Sequence, residues 1–540
     1  MGDSNILPDA KITPIPVLVD EKASNTPDRT FAIIPKTANI NDGFRDYKYS
    51  ELAHAGNKMS WWLEKELGKS AIPETIAYMG APDLRYTFLY IAAQKTRRPL
   101  LFPLNQNSRA GHLGILTAIG CKTLLASRDQ IELWNALYPE IDTFKVLVVP
   151  ELEYFLKVEE IKEYPYNFSW QDVKDDVGII LHTSGSTGLP KPIKYTNYML
   201  SIFATGSGDM ATMFEGLRTL VPLPPSWGFG VAFHMIMPIQ FGTIPISLPT
   251  DSPQPLTAEY VDKVHTSVQA EAGVYIPYVL EQLSKTPQYL EHMKGMKYIG
   301  YGGAPLSREI GDIFAKFTHV QPMMGSTEAG SWGLRKSDPK DWIYYDFDPS
   351  SGFQFHKFQD DLYESVIVKH KDPEMAKRQL VFYVFPDLEE FHTKDIWKEH
   401  ESKKGLWQYA GRMDDFVKLS SLTKFNATHA STQFLCAGYC FRVEGLILKD
   451  SRVTGAIMGG DGQMRPFLLL ELADDSSHET IDSLWPSIKV ANDSLSAEIQ
   501  LQKNMVLLTK EGKRMKRGFK GLPNRRETLL DYAKEIENLY

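Results

Sequence analysis

Apolar and polar residues recur along this chain with two periods, and each switch between them marks an element. In "YSELAHAGNKMSWWLEKELG" the apolar residues Leu52, Ala55, Met59, Trp62 and Leu63 recur at helical spacing, with Ser50 as the expected N-cap. The stretch predicts an amphipathic helix. After it, "RPLLFPLN" predicts a strand, "SRAGHLGILTAIG" a helix and "KTLLAS" a strand, and the apolar runs "KVLVVP" and "VGIIL" continue the rhythm. Strand, helix and strand in succession predict a parallel sheet covered by helices, an α/β architecture. From Val417 onward the texture changes: "GAIMGG" and "RPFLLLEL" read as strands, "SLWPSIKVANDSLS" as helix, followed by a basic loop and a terminal helix. A boundary is expected within Gly411–Asp415, dividing residues 1–411 from 412–540 at a short linker that permits rotation.

At 540 residues the chain is too long for one core and sufficient for two to four domains. The net charge of −8 and the 23% charged residues exclude a general affinity for nucleic acid or for an anionic membrane, so any anionic ligand must be met locally. Cys121, Cys436 and Cys440 are too few for a disulfide framework and point to a reducing compartment, with the cytosol as the expected location. No uninterrupted apolar run approaches the roughly 18 residues of a membrane span. The start "MGDSNILPDAKITPIP" lacks a basic n-region and an apolar h-region, and Ile6 breaks the myristoylation pattern.

The chemistry concentrates first in "IILHTSGSTGLPKPIKYT", Ile179 to Thr196. An apolar, β-compatible pentad, Val177 to Leu181, runs into glycines and small hydroxyl residues and then Lys191. Glycines let backbone N–H groups approach an anion, hydroxyls add donors and the lysine adds charge, which together make a phosphate-holding loop. A Walker A loop is excluded, because no Lys-Ser or Lys-Thr pair follows Gly188.

The string "TSGSTGLPKP" resembles the signature of the adenylate-forming superfamily, which contains acyl-CoA synthetases, luciferases and the adenylation domains of peptide synthetases. Further motifs of that superfamily follow in order: "GGAPLS" at Gly302–Ser307, "GSTEAG" at Gly325–Gly330, "FHTKDIW" with Asp395, "GRMDD" at Gly411–Asp415, and a lysine-rich tail. The resemblance covers nearly the whole chain. It implies a large N-terminal α/β domain of parallel and mixed sheets with flanking helices and a distorted barrel, plus a small mobile α+β C-terminal domain. The details "LHTSGSTGLPKPI", "FPDLEEFHTKDIW", "GLWQYAGRMDDFVKLS" and "YAKEIENLY" look most like the adenylation part of fungal peptide-synthetase-like enzymes of secondary metabolism, of the carboxylic acid reductase type. There an adenylation domain is followed by a carrier and then a reductase or thioesterase. A carrier acting in trans, or a lost carrier and reductase, is therefore an expected partner.

The implied reaction joins a carboxylic acid and ATP to give an acyl-adenylate and pyrophosphate, before transfer to the thiol of phosphopantetheine or coenzyme A. A carboxylate is repelled by the polyanion it attacks, so the phosphates must be neutralised and the acid held in line with the α-phosphorus. The resemblance assigns Thr183, Ser184, Gly185, Ser186, Thr187, Gly188 and Lys191 to the phosphates, and Gly302, Gly303, Ala304, Gly325 and Ser326 to the nucleotide. Thr327 would touch the α-phosphate. Glu328 would hold Mg²⁺, a hard cation that takes one or two protein carboxylates beside phosphate oxygens. Met324 departs from the aromatic residue usual at its position, which leaves adenine stacking weaker or supplied elsewhere. Asp395 would accept hydrogen bonds from the ribose hydroxyls, Arg412 would support the same sugar, and Asp414 would be the hinge. The tail from Thr509 to Glu527 carries eight Lys and Arg against two Glu. Lys520 in "FKGLPNRR" is the expected adenylation lysine; Leu522 replaces the threonine of the family pattern, so Lys513 and Lys516 remain alternatives, as does a solvated basic loop that docks an acidic carrier.

In "PPSWGFGVAFHMIMPIQFG", where amino-acid-activating relatives present an aspartate, this chain offers Phe233 and His234 and no carboxylate. That points to an acid without an α-amino group, aryl or otherwise apolar, with Trp227, Phe229 and Met235 as wall residues. His234 stands between two readings, a pocket residue with a catalytic part and a packed core histidine. The segment "ASTQFLCAGYCFR", Ala430–Arg442, interrupts the family pattern; it reads as a retained intron or a gene-model error that impairs rotation, with a two-cysteine metal site beside His429 as the alternative. Two rival functions are a free-standing ligase that passes its acyl group to coenzyme A, and a nucleotide-binding remnant without turnover.

Overall fold

The computed structural model describes residues 12–69, 72–104, 107, 109–132, 134, 144–183, 190–205, 209–253, 256–413, 416–418, 424–426, 443–461, 463–476, 478–493, 495, 499–517 and 523–540. The chain divides into two compact units, Met1–Phe353 with Ile367–Phe391, and Gln354–Val366 with His392–Tyr540.

The first unit is built on two largely parallel sheets, their strands numbered in chain order. The six-stranded sheet runs Lys145–Val148 (β6), Thr123–Ala126 (β5), Ile76–Met79 (β3), Leu100–Leu101 (β4), Val177–Thr183 (β7) and Lys191–Thr196 (β8). Its pairs are parallel except the last, β7 with β8. The seven-stranded sheet runs His319–Pro322 (β13), Tyr298–Tyr301 (β12), Ala272–Tyr275 (β11), Arg218–Leu220 (β9), Ile244–Ile246 (β10), Thr30–Pro35 (β1) and Phe44–Lys48 (β2), with only the β1–β2 hairpin antiparallel. Strands β3, β5 and β11 are buried at every position. Helices cover both faces of such a sheet, which is why these strands read as apolar runs and not as alternating ones. A two-stranded ribbon, Gly325–Ser326 (β14) with Gly330–Ser331 (β15), and a short strand Tyr344–Asp346 (β16) complete the unit.

The first amphipathic helix spans Tyr49–Leu67 and buries Leu52, Ala55, Met59 and Leu63 completely. Its cap differs from expectation. Lys48 is the N-cap residue, its N–H donating to Glu51 Oε2 at 2.8 Å, while Ser50 lies inside the first turn and donates its hydroxyl to the carbonyl of Pro27. Glu51, at the third helical position, reaches back to the Lys48 N–H, so the helix begins at Tyr49, ahead of the start that Ser50 would have capped.

In the second unit Leu406–Arg412 (β20), Glu390–Glu399 (β19), Leu362–Val368 (β18) and Phe353–Gln359 (β17) pair in that order. The sheet ends at β17, which has a neighbour on one side only, so the distorted barrel does not form: among the described residues no sheet closes on itself. A ribbon of Phe416–Lys418 (β21) and Lys424–Asn426 (β22) follows. Then comes a small α+β layer: Val453–Gly459 (β23) antiparallel to Phe467–Leu472 (β24), which is parallel to Val506–Leu508 (β25). Helices Val443–Ile447 and Ile481–Asn492 cover it through Val443, Ile447, Leu484 and Ile488 against Met458 and Leu468.

The segment Ala430–Arg442, with Cys436 and Cys440, lies outside the described residues. Cys121 is buried in the first unit, and burial pushes its thiol up to about 12. Among the described residues no helix is long and apolar enough to cross a membrane.

Candidate active site

The ends of the phosphate loop are set by a hairpin. Strands β7 and β8 pair from Val177 opposite Thr196 up to Thr183 opposite Lys191, so half-buried Thr183 and exposed Lys191 stand side by side at its tip. Ser184, Gly185, Ser186, Thr187 and Gly188 lie outside the described residues. Just before the tip, His182 is buried and its Nε2 accepts from the Leu104 N–H at 3.2 Å, with Asn107 Nδ2 at 3.1 Å. A backbone N–H can only donate, which assigns the ring proton to Nδ1. Burial, with His112 nearby, lowers the pKa of His182 to about 4 and keeps the ring neutral. Nothing in the apolar run beyond a single polar residue at its end signalled this anchor.

The "GSTEAG" motif is the β14–β15 ribbon, with Gly325 opposite Ser331 and Ser326 opposite Gly330. Thr327 and Glu328 are half-buried at its turn, where Ser326 Oγ accepts from the Ala329 N–H at 3.1 Å. Gly330 has φ +69°, and a Cβ there would lie 3.1 Å from both Leu380 and Phe203, so the turn needs glycine twice over. Tyr195 on β8 donates its hydroxyl to the Thr327 carbonyl at 2.6 Å. This bond ties the hairpin that carries Lys191 to the turn that carries Glu328. Burial first, and the Glu328 charge second, hold the Tyr195 phenol above its usual range. No local pattern signals Tyr195's part, because the two residues lie far apart along the chain.

"GGAPLS" follows β12, at the carboxyl end of the parallel strands, where open α/β sheets bind ligands. Gly302 is buried, Gly303 exposed with φ +81°, and Ala304 half-buried. A Cβ on Gly302 would lie 2.9 Å from the Met323 carbonyl and 3.0 Å from the Phe229 ring, so the backbone passes as close to both as a glycine allows. Met324 is half-buried and its carbonyl accepts from the Trp332 N–H at 3.1 Å.

The acid-pocket stretch runs through a π-helical turn, Ala232–Ile236, a local irregularity often found at functional sites. Phe229 and Trp227 are half-buried, and Phe229 lies nearly parallel to buried Phe233 at 6.3 Å. Both belong to an apolar cluster with Phe214, Leu223 and Met323. Met235 is fully buried in the neighbouring core cluster. His234 is buried; its Nε2 meets the Leu223 carbonyl at 3.1 Å, and burial lowers the ring pKa to about 4.

In the second unit Asp395 and Arg412 face each other across β19 and β20. Asp395 is 4% exposed; its Oδ1 accepts from the Tyr409 hydroxyl at 3.3 Å and lies 3.8 Å from Arg412 Nη1. Lys394, one residue before it, holds φ +63°, and the register shifts between Ile396 and Trp397. A bulky residue in the left-handed region at a strand irregularity re-aims its neighbour, here Asp395. Behind it Ser365 Oγ meets Thr393 Oγ1 at 2.6 Å and accepts from Trp397 Nε1 at 2.9 Å. Tyr409, Thr393 and Ser365 were not foreseen.

Asp414 and Lys520 lie outside the described residues. The two alternative lysines are engaged, Lys513 with Glu535 at 2.9 Å and Lys516 with Asp531 at 3.5 Å. Among the described residues no group of three or more His, Cys, Asp or Glu could hold a metal ion. The half-buried Glu328 beside two hydroxyl residues fits a cation such as Mg²⁺, which draws most of its ligands from water and substrate phosphates.

Residues 19–352 match the AMP-binding enzyme family, and residues 440–540 match the AMP-binding enzyme C-terminal domain. The isocyanide synthase-NRPS hybrid crmA of Aspergillus fumigatus is 26% identical over 97% of this chain and 33% of its own length. A carboxylic acid reductase of Neurospora crassa is 26% identical over 97% of this chain and 50% of its own. The chain thus spans a third to a half of the length of these curated relatives. Among solved structures, an anthranilate CoA ligase, AuaEII, in complex with anthranoyl-AMP aligns with a TM-score of 0.70 at 12% identity, covering 98% of this chain and 100% of that one. The O-succinylbenzoate coenzyme A synthetase MenE of Bacillus subtilis, in complex with AMP, aligns with a TM-score of 0.70 at 15% identity over 94% and 97%. These likenesses show the fold.

Proposed function

Because the chain belongs to the AMP-binding enzyme family, we propose that it activates a carboxylic acid without an α-amino group, aryl or arylalkyl, as its acyl-adenylate, and then passes the acyl group to the thiol of phosphopantetheine or coenzyme A. The observation that carries the substrate class is the wall formed where Phe229 meets Gly302 and Met323, apolar and without a carboxylate to receive an ammonium group. Such a wall offers an aryl ring apolar and aromatic contact; a charged amine would lose its water there without compensation. That AuaEII carries an aryl adenylate on the same fold agrees with this reading.

In the reaction a carboxylate oxygen of the acid bonds to the α-phosphorus of ATP as the bond from that phosphorus to the pyrophosphate oxygen breaks. Lys191 and the residues from Thr183 to Gly188 offset charge on the departing phosphates, and Thr327 donates to the α-phosphate. Glu328 holds Mg²⁺, which supplies charge neutralisation when bound. Asp395, steadied by Tyr409 and Arg412, accepts from the ribose hydroxyls. Lys520 serves as the adenylation lysine, a choice supported by the ion pairs that occupy Lys513 and Lys516. Rotation about Asp414 then admits the thiol, presented by a carrier in trans or by free coenzyme A.

The test is pyrophosphate release from ATP and Mg²⁺ with a panel of aryl, aryl-pyruvic, aliphatic and amino acids, with Lys191→Ala as control. Turnover confined to aryl or arylalkyl acids is the expected result; turnover confined to amino acids would overturn the substrate class. Coenzyme A-dependent release of AMP would identify the free-standing ligase. Silence across the panel, with and without Ala430–Arg442, would identify the remnant.

A further inference from the structure

The basic tail contains one feature that a solvated loop does not need. Glu471, on β24 and 2% exposed, points its carboxylate at the tail: Oε2 accepts from the Met515 N–H at 2.6 Å, and Oε1 accepts from Arg517 Nη2 and from the Thr454 hydroxyl at 3.2 Å. Arg517 also donates to the Thr454 carbonyl at 3.1 Å. The tail packs so closely that a Cβ on Gly455 would lie 2.7 Å from Met515 Sδ and 3.4 Å from Arg517 Nη2.

A second glutamate repeats the arrangement further along. Glu444, in the helix Val443–Ile447, accepts from the Met458 N–H at 2.7 Å and from Arg525 Nη2, while Arg525 Nη1 donates to the Met458 carbonyl at 2.6 Å. The two described stems that carry these arginines pair with each other. Arg517 and Pro523 form an antiparallel bridge, the Asn524 N–H donates to the Lys516 carbonyl at 2.6 Å, and the Lys516 N–H donates to buried Thr528 Oγ1 at 3.0 Å.

We propose that Glu471 and Glu444 are positioning residues that clamp the two stems of the basic tail, Met515–Arg517 and Pro523–Arg525, and so fix where the chain enters and leaves the stretch carrying Lys520. The proposal rests on the reading of Lys520 as the adenylation lysine. A carboxylate as buried as Glu471 is costly unless paired, and an apolar side chain at that site would serve stability equally well. What the buried ion pair adds is a unique register: one arginine on each stem matched to one carboxylate on the core. The exposed pairs Lys510–Glu535 and Lys516–Asp531 add little of that kind, because water competes for them. Anchoring both stems removes most of the chain entropy that a lysine on a free tail would lose in reaching its substrate.

Glu471→Gln and Glu444→Gln in the full chain test the clamp in two ways. Amide hydrogen exchange across residues 510–530 is expected to quicken about tenfold or more in either variant, with the exchange of β23 and β24 unchanged. Exchange as slow as in the parent would overturn the proposal, and this readout requires no activity. In turnover, the pyrophosphate-forming kcat is expected to fall about tenfold, with KM for ATP within about twofold and thiol-dependent consumption of preformed acyl-adenylate unaltered. An equal fall in both half-reactions together with a lowered melting temperature would reduce the glutamates to structural roles and overturn the proposal. A parent protein that forms no pyrophosphate with any acid would defeat the functional reading alone, and the exchange experiment would still decide the clamp.

Discussion

The residues around the candidate site differ in kind between the two units. In the first, the buried rings of His182, His234 and His265 are neutral, each with its pKa lowered to about 4 mainly by burial, and the candidate site is assembled from backbone turns, hydroxyls and one half-buried carboxylate, Glu328. In the second, carboxylates meet arginines: Asp395 with Arg412, Glu471 with Arg517, Glu444 with Arg525 and Asp450 with Arg452. A ring enclosed between covered sheets and given no counter-charge sheds its own, whereas the buried cations of the same unit, Lys58, Arg85 and Lys95, are each paired with a carboxylate, Glu159, Asp83 and Asp20. In the second unit even the buried carboxylates Asp395 and Glu471 lie within reach of an arginine.

The sharpest way to break this contrast is to remove the one charge at the first unit's turn. Glu328→Gln is expected to lower pyrophosphate release by about 10²–10³-fold while leaving the melting temperature close to that of the parent, since the group is half-buried and charge stabilisation of this kind contributes about 3–4 kcal/mol to a transition state. Steady-state kinetics at saturating Mg²⁺ would check it; a loss under about fivefold would mean that the site works without that carboxylate.

Acid should separate the units in sequence. A histidine whose pKa falls from 6.5 to about 4 on folding leaves the unfolded chain to take up the proton first, so the stability it contributes is complete above about pH 6.5 and drains away as the pH falls toward 4. The effect reaches about 3 kcal/mol per ring at most. In the second unit the salt-bridged carboxylates behave later. Glu535 is lowered from 4.5 to about 2 by Lys510 and then Lys513, and Arg452 holds Asp450 well below the usual carboxylate range, so their contribution persists above about pH 4.5 and is lost toward pH 2. Hydrogen exchange mapped by unit from pH 7 to 3 should show the first unit loosening before the second, and the reverse order would end the comparison.

A smaller effect is expected at the proposed aryl wall. Gly302→Ala places a methyl group against the Met323 carbonyl and the Phe229 ring, an overpacking that costs about 1–3 kcal/mol and should raise KM for an aryl acid about tenfold, with KM for ATP nearly constant. The smallest change is expected at the tail lysines already engaged by carboxylates: Lys513→Ala and Lys516→Ala should leave pyrophosphate release within about twofold, because half-buried Lys513 pairs with Glu535 and exposed Lys516 with Asp531.

Much of this organisation was legible before the fold was seen. "KTLLAS", "KVLVVP" and "VGIIL" are β5, β6 and β7, and "GAIMGG" and "RPFLLLEL" are β23 and β24, because a strand's period and a loop's glycines are properties of neighbouring residues. Motif order led to the expectation that Asp395 and Arg412 serve one ribose; that they face each other as a cross-strand pair is a feature of the fold. Other features were hidden. Tyr195 reaches Thr327, Tyr409 reaches Asp395, and Glu471 reaches Arg517 across long stretches of chain, and no local pattern names such partners. Ser50 looked like a cap and Glu51 decided where the helix begins; the expected barrel gave way to an open sheet.

The sequence by itself determined the alternation of elements, the positions of the glycine turns and the order of the polar motifs, since each depends on residues within a turn or two of one another. Only the tertiary structure decided which polar groups pair, which stay neutral and which side chains line the wall beside Gly302. Those choices depend on the removal of water, and water is excluded only when distant segments pack together.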